Sequence, residues 1–320
     1  MEIVVVGVRG FGKVHLRSIR GADVSIVERD QKVITEVREK YQIHRVYSTY
    51  EEALSSGAEI IDLTVPHDLH REFAIKAFNS KKHVILEKPI ATNMEDAIAI
   101  QIAAVKSGLK CNIAEQYHFD PSLNSAIKLI RDGAIGRVIN ILVRDQRFYD
   151  HRGWRTNRKT MGGGALIDGG IHYIHSMLMI GGPYSGITGR SGKGGSTLEG
   201  EDSSLAIFDF TSGATGMLFY SWAYHDPPAV PGLEIVGSSG SIYEEVATRS
   251  AKDFKDDSRG TAFGDLVMNG RRLNVEKYDI FVREFSEFIA CVEKDLPEVV
   301  PPSLAIEDLR AALAIYGIKG

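Results

Sequence analysis

The sequence predicts an α/β domain with a doubly wound parallel sheet, followed by an α+β domain with a large, mostly antiparallel open sheet. In residues 1–118, short β-branched runs alternate with amphipathic helical patterns. Further along, strand-like runs follow one another with no helical pattern between them. In addition, 22 of the 32 glycines lie between Gly153 and Gly270, which places most turns and close backbone approaches in the second domain.

The first domain alternates strands and helices from its start. The expected strands are 3–6, 24–27, 59–65 and 83–86, and the expected helices are 13–20, 31–41, 67–79 and 94–107. Strands that are apolar throughout and followed by helices indicate a parallel sheet covered on both faces, with right-handed crossovers. We place this domain at residues 1–118.

The second domain has a different pattern. After a helix at 125–131, the expected strands are 137–148, 205–210, 214–223, 233–236 and 241–246, and two helices close the chain at 278–294 and 304–316. Consecutive strands without crossover helices imply an antiparallel sheet. The domain spans residues 119–320, with packing of its last helix back on the first domain left open. The Gly/Ser-rich segment 189–195 is predicted to be a mobile loop.

Composition excludes several classes of protein. The chain has 38 Lys and Arg against 42 Asp and Glu, a net charge of −4, which gives no basic face for nucleic acid. The apolar run after Met1 is too short for a signal peptide or a membrane span, so a cytoplasmic enzyme or binding protein is expected. Cys111 and Cys291 form no CxxC or Cys/His cluster, so neither disulfides nor a metal site are expected.

A glycine-rich turn joins the first strand to the first helix. It reads Gly7-Val8-Arg9-Gly10-Phe11-Gly12, the context in which a turn cradles the pyrophosphate of a dinucleotide. Arg9 occupies the place of the middle glycine of the G-x-G-x-x-G fingerprint. Either Gly10 allows the close approach to phosphate, or Arg9 contacts phosphate itself. An ordinary strand-turn-helix junction is the alternative for the turn alone.

An acidic residue ends the second strand. Glu28 lies 21 residues after Gly7, where a carboxylate accepts hydrogen bonds from the adenosine ribose. Glu28 would repel a 2′-phosphate, which favours NAD, whereas Arg29 could pair with that phosphate, which leaves NADP open. The alternative is a solvated strand end.

Two further segments follow strands of the same sheet. Val65-Pro66 ends a buried strand, and His67 and His70 lie in the helix that follows. Because ligands bind at the carboxyl ends of strands in such sheets, cofactor contacts are expected here, with helix-start hydrogen bonding as the alternative. Metal binding by the two histidines is disfavoured because no carboxylate or thiolate cluster accompanies them.

Glu87-Lys88-Pro89 occupies the corresponding end of the next strand. Lys88 is therefore expected to place its ammonium close to bound cofactor.

An Asp and a His stand four residues apart among glycines. If the segment is helical, Asp168 and His172 share one face, and a carboxylate beside an imidazole fixes its tautomer and tunes its basicity, as proton transfer requires. A purely structural pair is the alternative.

These residues together resemble the glucose-fructose oxidoreductase and inositol dehydrogenase (Gfo/Idh/MocA) family along nearly the whole chain. The matching elements are Glu87-Lys88-Pro89, the Asp168-x-Gly-x-His172 element behind a glycine triplet, the nucleotide loop with His15, Pro66 followed by His70, Ala114-Glu115-Gln116-Tyr117, and Trp154-Arg155. The resemblance implies a Rossmann domain, then a mostly antiparallel sheet domain, with the substrate between them. It also implies hydride transfer between NAD(P) and a secondary alcohol of a sugar or cyclitol.

The resemblance also implies residue roles. His172 becomes the general base, Asp168 orients it, and Lys88 hydrogen-bonds the reacting oxygen. The residues expected to contact the cofactor are Gly7, Arg9, Gly10, Phe11, Gly12, Glu28, Arg29, Val65, Pro66, His67, His70, Glu87, Lys88 and Gln116. Contacts to substrate fall on Lys88, Tyr117, His118, Trp154, Arg155, Asp168 and His172.

The chain departs from the family pattern at several positions. These are Arg9 for Gly, Val65 for Thr, His67 for Asn, Gln116 for Asn, His118 at a substrate-contacting position, and His175 for Asp. The substrate is therefore left unassigned. Two other functions stay open: a non-catalytic cofactor or sugar sensor, and a glycosidase that uses NAD transiently.

The run from Met217 to Trp222 is apolar on both alternating faces, so a sheet with helices on one side would expose a large patch. Family members often pair through this sheet, and a homodimer or homotetramer is expected. The alternative is a strand covered by loops of its own chain.

Overall fold

The computed structural model describes residues 1–249 and 261–318, which form two compact units. The first unit comprises residues 1–115 and 281–306, and the second comprises 116–280 and 307–320. The sequence pattern predicts a domain boundary between residues 118 and 119, with residues 281–306 in the second domain. Among the described residues, no helix is long and apolar enough to cross a membrane.

The first unit contains a six-stranded sheet. Its elements up to residue 115 are β1 (Glu2–Val6), α1 (Gly12–Ser18), β2 (Asp23–Val27), α2 (Gln31–Lys40), β3 (Val46–Tyr47), α3 (Tyr50–Leu54), β4 (Ile60–Leu63), α4 (His70–Asn79), β5 (His83–Glu87), α5 (Met94–Ser107) and β6 (Cys111–Ala114). The strand order is β3-β2-β1-β4-β5-β6, and every neighbouring pair is parallel. This confirms the doubly wound parallel sheet.

The second unit contains an eight-stranded sheet. Its elements are α6 (Pro121–Arg131), β7 (Val138–Gln146), α7 (Arg158–Met161), α8 (Ile171–Gly181), β8 (Tyr184–Gly192), β9 (Ser203–Phe210), β10 (Thr215–Ser221), β11 (Leu233–Gly237), β12 (Gly240–Glu245), β13 (Asp265–Met268) and β14 (Arg271–Leu273). The strand order is β14-β13-β12-β11-β7-β10-β9-β8. All pairs are antiparallel except β7 with β10, which confirms a mostly antiparallel open sheet.

Strand β8 corrects one prediction. Segment 189–195 was expected to be a mobile loop, yet Gly189 to Gly192 belong to β8 and pair with β9 along its length. Backbone hydrogen bonds to β9 hold this part of β8 in place, although its glycines have no side chain to pack. A Cβ at Gly189 would lie 2.8 Å from the side chain of Ile315, so glycine permits close packing there.

Two helices close the chain, α9 (Ile280–Glu293) and α10 (Pro302–Ile315). Within the first unit, Phe285, Phe288 and Ile289 of α9 belong to the same buried cluster as Ile3 and Ile60 of the sheet. The apolar stripe of α9 is repeated every three or four residues and is buried against this core. That burial explains why residues 281–306 return to the first unit.

Phe285 is fully buried, and its ring meets that of His15 edge to face at a centroid distance of 5.0 Å. We expect Phe285→Ala to destabilise the first unit by about 3–5 kcal/mol, because a large cavity opens in a core that cannot fully collapse. Urea unfolding of the full chain measures the effect. The adjacent exposed Ser286→Ala is the control, and an equal shift in both variants would contradict this packing.

Candidate functional site

The predicted cofactor segments of the first unit lie at one edge of its sheet. The glycine turn follows β1, Glu28 follows β2, Val65 and Pro66 follow β4, and Lys88 follows β5. These four strands are neighbours in the order β2-β1-β4-β5, and all are parallel. Their carboxyl ends therefore meet at one edge, where open α/β sheets bind ligands.

The glycine turn has two positions that exclude side chains and one that does not. Gly7 has a φ of +107°, and a Cβ there would lie 2.6 Å from the carbonyl oxygen of Thr64. A Cβ at Gly12 would lie 2.6 Å from the carbonyl oxygen of Gly7, whereas one at Gly10 meets nothing within 4 Å. The turn thus packs tightly on Thr64 and leaves open space at Gly10. The sequence pattern did not predict this role of Thr64.

Arg9 is paired with the carboxylate expected to read the ribose. Arg9 Nε donates to Glu28 Oε2 and Nη2 donates to Glu28 Oε1, each at 2.9 Å, and Nη2 also lies 3.4 Å from Asp30 Oδ2. The hydrogen bond from Arg9 lowers the pKa of Glu28 to about 2. Glu28 is therefore ionised, and the guanidinium of Arg9 balances its charge. Arg29 is exposed.

The residues of this edge fit a dinucleotide. The space beside Gly10 admits phosphate close to the backbone, and Glu28 supplies an ionised acceptor at the end of β2. The guanidinium of Arg9 contacts Glu28 in this structure. Whether Gly10 or Arg9 lies against phosphate stays a prediction. The assignment of individual cofactor contacts, Phe11 included, stays a prediction.

His70 joins two of the loops at this edge. It is fully buried, with Nδ1 2.9 Å from the carbonyl oxygen of Pro89 and Nε2 3.1 Å from that of Val65. Burial lowers the pKa of His70, and the hydrogen bonds to the two carbonyl oxygens oppose that shift. These hydrogen bonds position the backbone at Val65 and at Pro89. His67 is buried beside His70. Among the described residues, no group of His, Cys, Asp or Glu could hold a metal ion.

A buried imidazolium lies beneath the Glu87-Lys88 segment. His15 Nδ1 is 2.9 Å and 3.0 Å from the two oxygens of Asp62, and Nε2 is 2.9 Å from Glu87. Ionised carboxylates only accept hydrogen bonds, so both ring nitrogens donate when Asp62 and Glu87 are ionised. Burial raises the pKa of Asp62, and the contact with His15 opposes that shift. Burial alone would lower the pKa of His15, but the two carboxylates outweigh it and raise that pKa well above its usual value.

This buried group also fixes the backbone that carries Lys88. The second carboxylate oxygen of Glu87 accepts the N–H of Lys88 at 3.1 Å. Glu87, predicted to contact cofactor, is therefore held by His15 on one side and by the Lys88 backbone on the other. Glu284 of α9 is also buried, and burial raises its pKa well above the usual range although the charge of His15 opposes that shift.

In the second unit, Asp168 and His172 lie on consecutive helical segments. Leu166–Gly170 is a π-helical turn that leads into α8, and both side chains are buried. Arg155 donates from Nε to Asp168 at 2.8 Å, and its guanidinium lies 4.4 Å from the Trp154 ring. The structure thus brings the predicted residues Trp154, Arg155 and Asp168 together, while orientation of His172 by Asp168 stays a prediction.

Tyr117 positions the ring of His172. The two rings stack with centroids 4.6 Å apart and planes 20° apart, and the Tyr117 hydroxyl lies 3.4 Å from that of Tyr173. Gln116 is buried next to Tyr117. The stack restricts the imidazole to one plane, which a proton-transferring ring requires.

The glycines around Asp168 allow close approach of neighbouring chain. A Cβ at Gly164 would lie 2.0 Å from the carbonyl oxygen of Glu201, and one at Gly169 would lie 2.0 Å from the Tyr220 hydroxyl. A separate cavity of about 460 Å³ is lined by residues that include Arg158, Arg190 and Tyr316. None of the predicted substrate residues lines that cavity.

Comparison with known proteins identifies both units. Residues 1–115 match the family described as "Oxidoreductase family, NAD-binding Rossmann fold", and residues 124–243 match "GFO/IDH/MocA C-terminal domain". These matches confirm the resemblance predicted from the motifs.

Individual relatives are more distant. The scyllo-inositol 2-dehydrogenase (NAD(+)) of Bacillus subtilis is 26% identical over 83% of this chain and 76% of its own. The levoglucosan dehydrogenase of Pseudarthrobacter phenanthrenivorans is 27% identical over 57% of this chain and 54% of its own. A crystal structure of an oxidoreductase from Thermotoga maritima superimposes with a TM-score of 0.86 at 26% identity, covering 98% of this chain and 95% of that one. The first curated relatives are matched over about half of their own length.

The His15 geometry predicts a ring protonated on both nitrogens at pH 8, which ring ¹⁵N chemical shifts measure directly. Because the folded-state pKa is raised, the stability that His15 contributes is complete below its unfolded pKa of about 6.5. That contribution is lost as the pH rises through the folded-state pKa.

The matched control replaces the three groups by neutral side chains, His15→Gln, Asp62→Asn and Glu87→Gln. In the wild-type chain, the group of His15, Asp62 and Glu87 should make the melting temperature fall as the pH rises. The triple variant should not show that fall. A singly protonated ring at pH 8, or the same decline in both proteins, would contradict the assignment.

Proposed function

Because the chain belongs to the Gfo/Idh/MocA family of oxidoreductases, we propose that it transfers a hydride between NAD and a secondary hydroxyl or carbonyl of a sugar, cyclitol or related polyol. The observation that carries the proposal is the buried pair Asp168 and His172 of the second unit, contacted by Arg155 and by the ring of Tyr117 respectively. In the first unit, the buried Lys88 follows β5 at the sheet edge that also carries the glycine turn. Two relatives named for scyllo-inositol and levoglucosan dehydrogenation support the substrate class.

The proposed mechanism divides proton and charge handling between three side chains. NAD, when bound, accepts the hydride. His172 takes the hydroxyl proton, with its ring held by the stack on Tyr117. The carboxylate of Asp168, which pairs with Arg155 at 2.8 Å, stabilises the imidazolium that forms. Lys88 stabilises negative charge developing on the reacting oxygen.

We propose NAD as the favoured cofactor. Glu28 is ionised and 10% exposed at the end of β2, which suits the two ribose hydroxyls. Arg9 reduces the repulsion that Glu28 would exert on a 2′-phosphate, because the guanidinium lies against both carboxylate oxygens. Cofactor choice therefore depends on whether Arg9 stays on Glu28 when the dinucleotide binds.

The direct test is a panel of aldoses, inositols and sugar acids offered with NAD and NADP, followed by absorbance at 340 nm. We expect reduction of NAD by at least one polyol, with slower reduction of NADP. Binding of NAD without turnover of any member would contradict the proposal and favour a sensor. Release of an aglycone from a glycoside without net NADH would instead indicate the transient-oxidation glycosidase.

With the substrate so found, we expect His172→Ala to lower kcat by about 10²- to 10⁴-fold, because the positioned proton acceptor is lost. Lys88→Ala should lower kcat by about 10²- to 10³-fold, because a donor to the developing charge is lost. Binding of NAD, followed by fluorescence, should persist in both. The exposed His44→Ala and Lys106→Ala are controls, and near-wild-type kcat in either site variant would refute its role.

We also propose that the chain self-associates through the outer face of the eight-stranded sheet. Cross-strand register places Leu142 beside Met217 and Met217 beside Ile207, and likewise Phe219 beside Leu205. Leu205 and Ile207 are 49% and 38% exposed. An apolar row of this kind on a monomer surface is unusual and favours coverage by a second copy.

Light scattering at micromolar concentration should give a dimer or tetramer. Ile207→Asp should shift the population towards monomer, because a charge would be buried at the centre of the row, whereas Asp209→Asn on the same strand should not. A monomeric wild-type chain would contradict the proposal.

A further inference from the structure

The second unit contains a cavity of about 460 Å³ that none of the predicted catalytic residues lines. Residues 189–193, where β8 ends, form one wall, and we term it the β8 cavity. The start of α7, the segment before β9 and residues 315–318 at the end of α10 form the others. Pockets for small molecules measure about 300–1,000 Å³, so this cavity has the volume for one.

The floor of the β8 cavity is tightly packed because glycine lies at the points of closest approach. A Cβ at Gly163 would lie 2.7 Å from the hydroxyl of Tyr316. A Cβ at Gly200 would lie 2.2 Å from the carbonyl oxygen of Gly163. All three residues line the cavity, so the space above them is bounded by closely packed backbone.

One buried carboxylate fixes the wall that carries Lys193. The backbone N–H of Gly194 donates to Asp202 Oδ1 at 2.6 Å, and those of Gly195 and Ser196 donate to Oδ2 at 3.0 Å and 2.9 Å. Burial would raise the pKa of Asp202, but these hydrogen bonds outweigh it and lower that pKa. The segment after Lys193 is therefore held in place by the strand that follows it.

Glu199 fixes another wall and keeps an acceptor. Its Oε2 accepts hydrogen bonds from Asn157 Nδ2 at 3.0 Å and from the backbone N–H of Arg158 at 3.1 Å. Within the described ranges 1–249 and 261–318, no group donates to Oε1 of Glu199. That oxygen is available to a ligand hydroxyl.

Three basic residues line the β8 cavity, Arg158, Arg190 and Lys193. All are exposed, and none forms an ion pair in the part of the chain that the structure describes. Exposure alone does not explain this, because the exposed Arg9 and Lys128 are paired. Three unpaired cations attract an anion, and guanidinium groups bind phosphate through two parallel hydrogen bonds.

Two acidic residues, Glu199 and Glu201, also line the cavity, which leaves an excess of positive charge. Burial raises the pKa of Glu201, while hydrogen bonds from Leu166 and Tyr316 and the charge of Arg158 oppose that shift. The charge of Arg158 is therefore felt at the cavity floor. Cations beside a free carboxylate oxygen suit a ligand that carries both a phosphate and hydroxyl groups.

The cavity floor also caps the helical turn that carries Asp168. Glu201 Oε1 accepts the N–H of Leu166 at 2.9 Å and the hydroxyl of Tyr316 at 2.8 Å, and that hydroxyl accepts the N–H of Ile167 at 3.2 Å. The first N–H groups of a helix have no partner within it, so these two side chains supply the acceptors. The cavity and the turn thus share Glu201 and Tyr316.

We propose that the β8 cavity is a second ligand site that binds the phosphate monoester of a small polyol. The phosphate lies on the three cations, and a hydroxyl donates to Glu199. Through Glu201 and Tyr316, the bound ligand acts on the backbone that carries Asp168. The site is separate from the proposed catalytic residues and does not depend on the substrate that they act on.

Calorimetric titration of the full chain with three probes tests the site. Glucose 6-phosphate supplies phosphate and hydroxyls, inorganic phosphate the anion alone, and glucose the hydroxyls alone. We expect glucose 6-phosphate to bind with a Kd below about 1 mM and inorganic phosphate about tenfold more weakly. Glucose should show no binding that depends on Arg158. Equal affinity for inorganic phosphate would contradict the polyol part of the proposal, and no binding of glucose 6-phosphate would overturn the site.

Arg158→Ala, Arg190→Ala and Lys193→Ala should each weaken the binding of glucose 6-phosphate by about tenfold or more, because each removes a charged contact to phosphate. Lys159→Ala is the matched control, since it removes an exposed cation next to Arg158 that does not line the cavity. Its Kd should stay within about twofold of wild type. An equal loss in the control, or none in the three variants, would overturn the assignment.

Amide ¹⁵N–¹H spectra test the action on the turn. As glucose 6-phosphate is added, the signals of Leu166 and Ile167 should shift with the midpoint concentration that calorimetry gives, whereas that of Ile242 in β12 should not. Unmoved signals of Leu166 and Ile167 at saturation would overturn this part of the proposal. These measurements are independent of turnover, so failure of the polyol panel would leave them valid.

Discussion

The charged His15 ring between Asp62 and Glu87 is the constraint on which the first unit depends. It ties α1 to the ends of β4 and β5, and through Glu87 it reaches the backbone of Lys88. Removing one member of such a buried group leaves an uncompensated charge, at a cost of about 3–5 kcal/mol. The position of Lys88 is therefore fixed by an interaction in the core rather than by the loop that carries it.

The second unit achieves positioning by different means. Its glycines admit Glu201 and Tyr220 against the helical segments that carry Asp168, at separations that any side chain would prevent. The ring of His172 is stacked on Tyr117. Buried polar groups are thus held in fixed orientations in both units. The first unit does this by electrostatic pairing and the second by steric fit.

Much of the fold followed from the sequence because hydrophobic periodicity and glycine placement are local signals. Strands β1, β2, β4 and β5 of the parallel sheet, α5 and the antiparallel strands β9 to β12 were expected, whereas β3 and β6 were not. Strand β8 was missed because its order comes from pairing with β9. Pairings between distant residues, such as Arg9 with Glu28 and His175 with Asp308, leave no local pattern. The departures from the family pattern at Arg9 and His175 were the available signals.

The central claim is hydride transfer from a polyol carbon to NAD. It is tested most directly with a polyol deuterated at its carbinol carbons, the product NADH being analysed by mass spectrometry. The account predicts that the reduced nicotinamide carries one deuterium and that His172→Ala slows its formation. NADH without deuterium, or bound NAD with no reduction by any polyol, would contradict it.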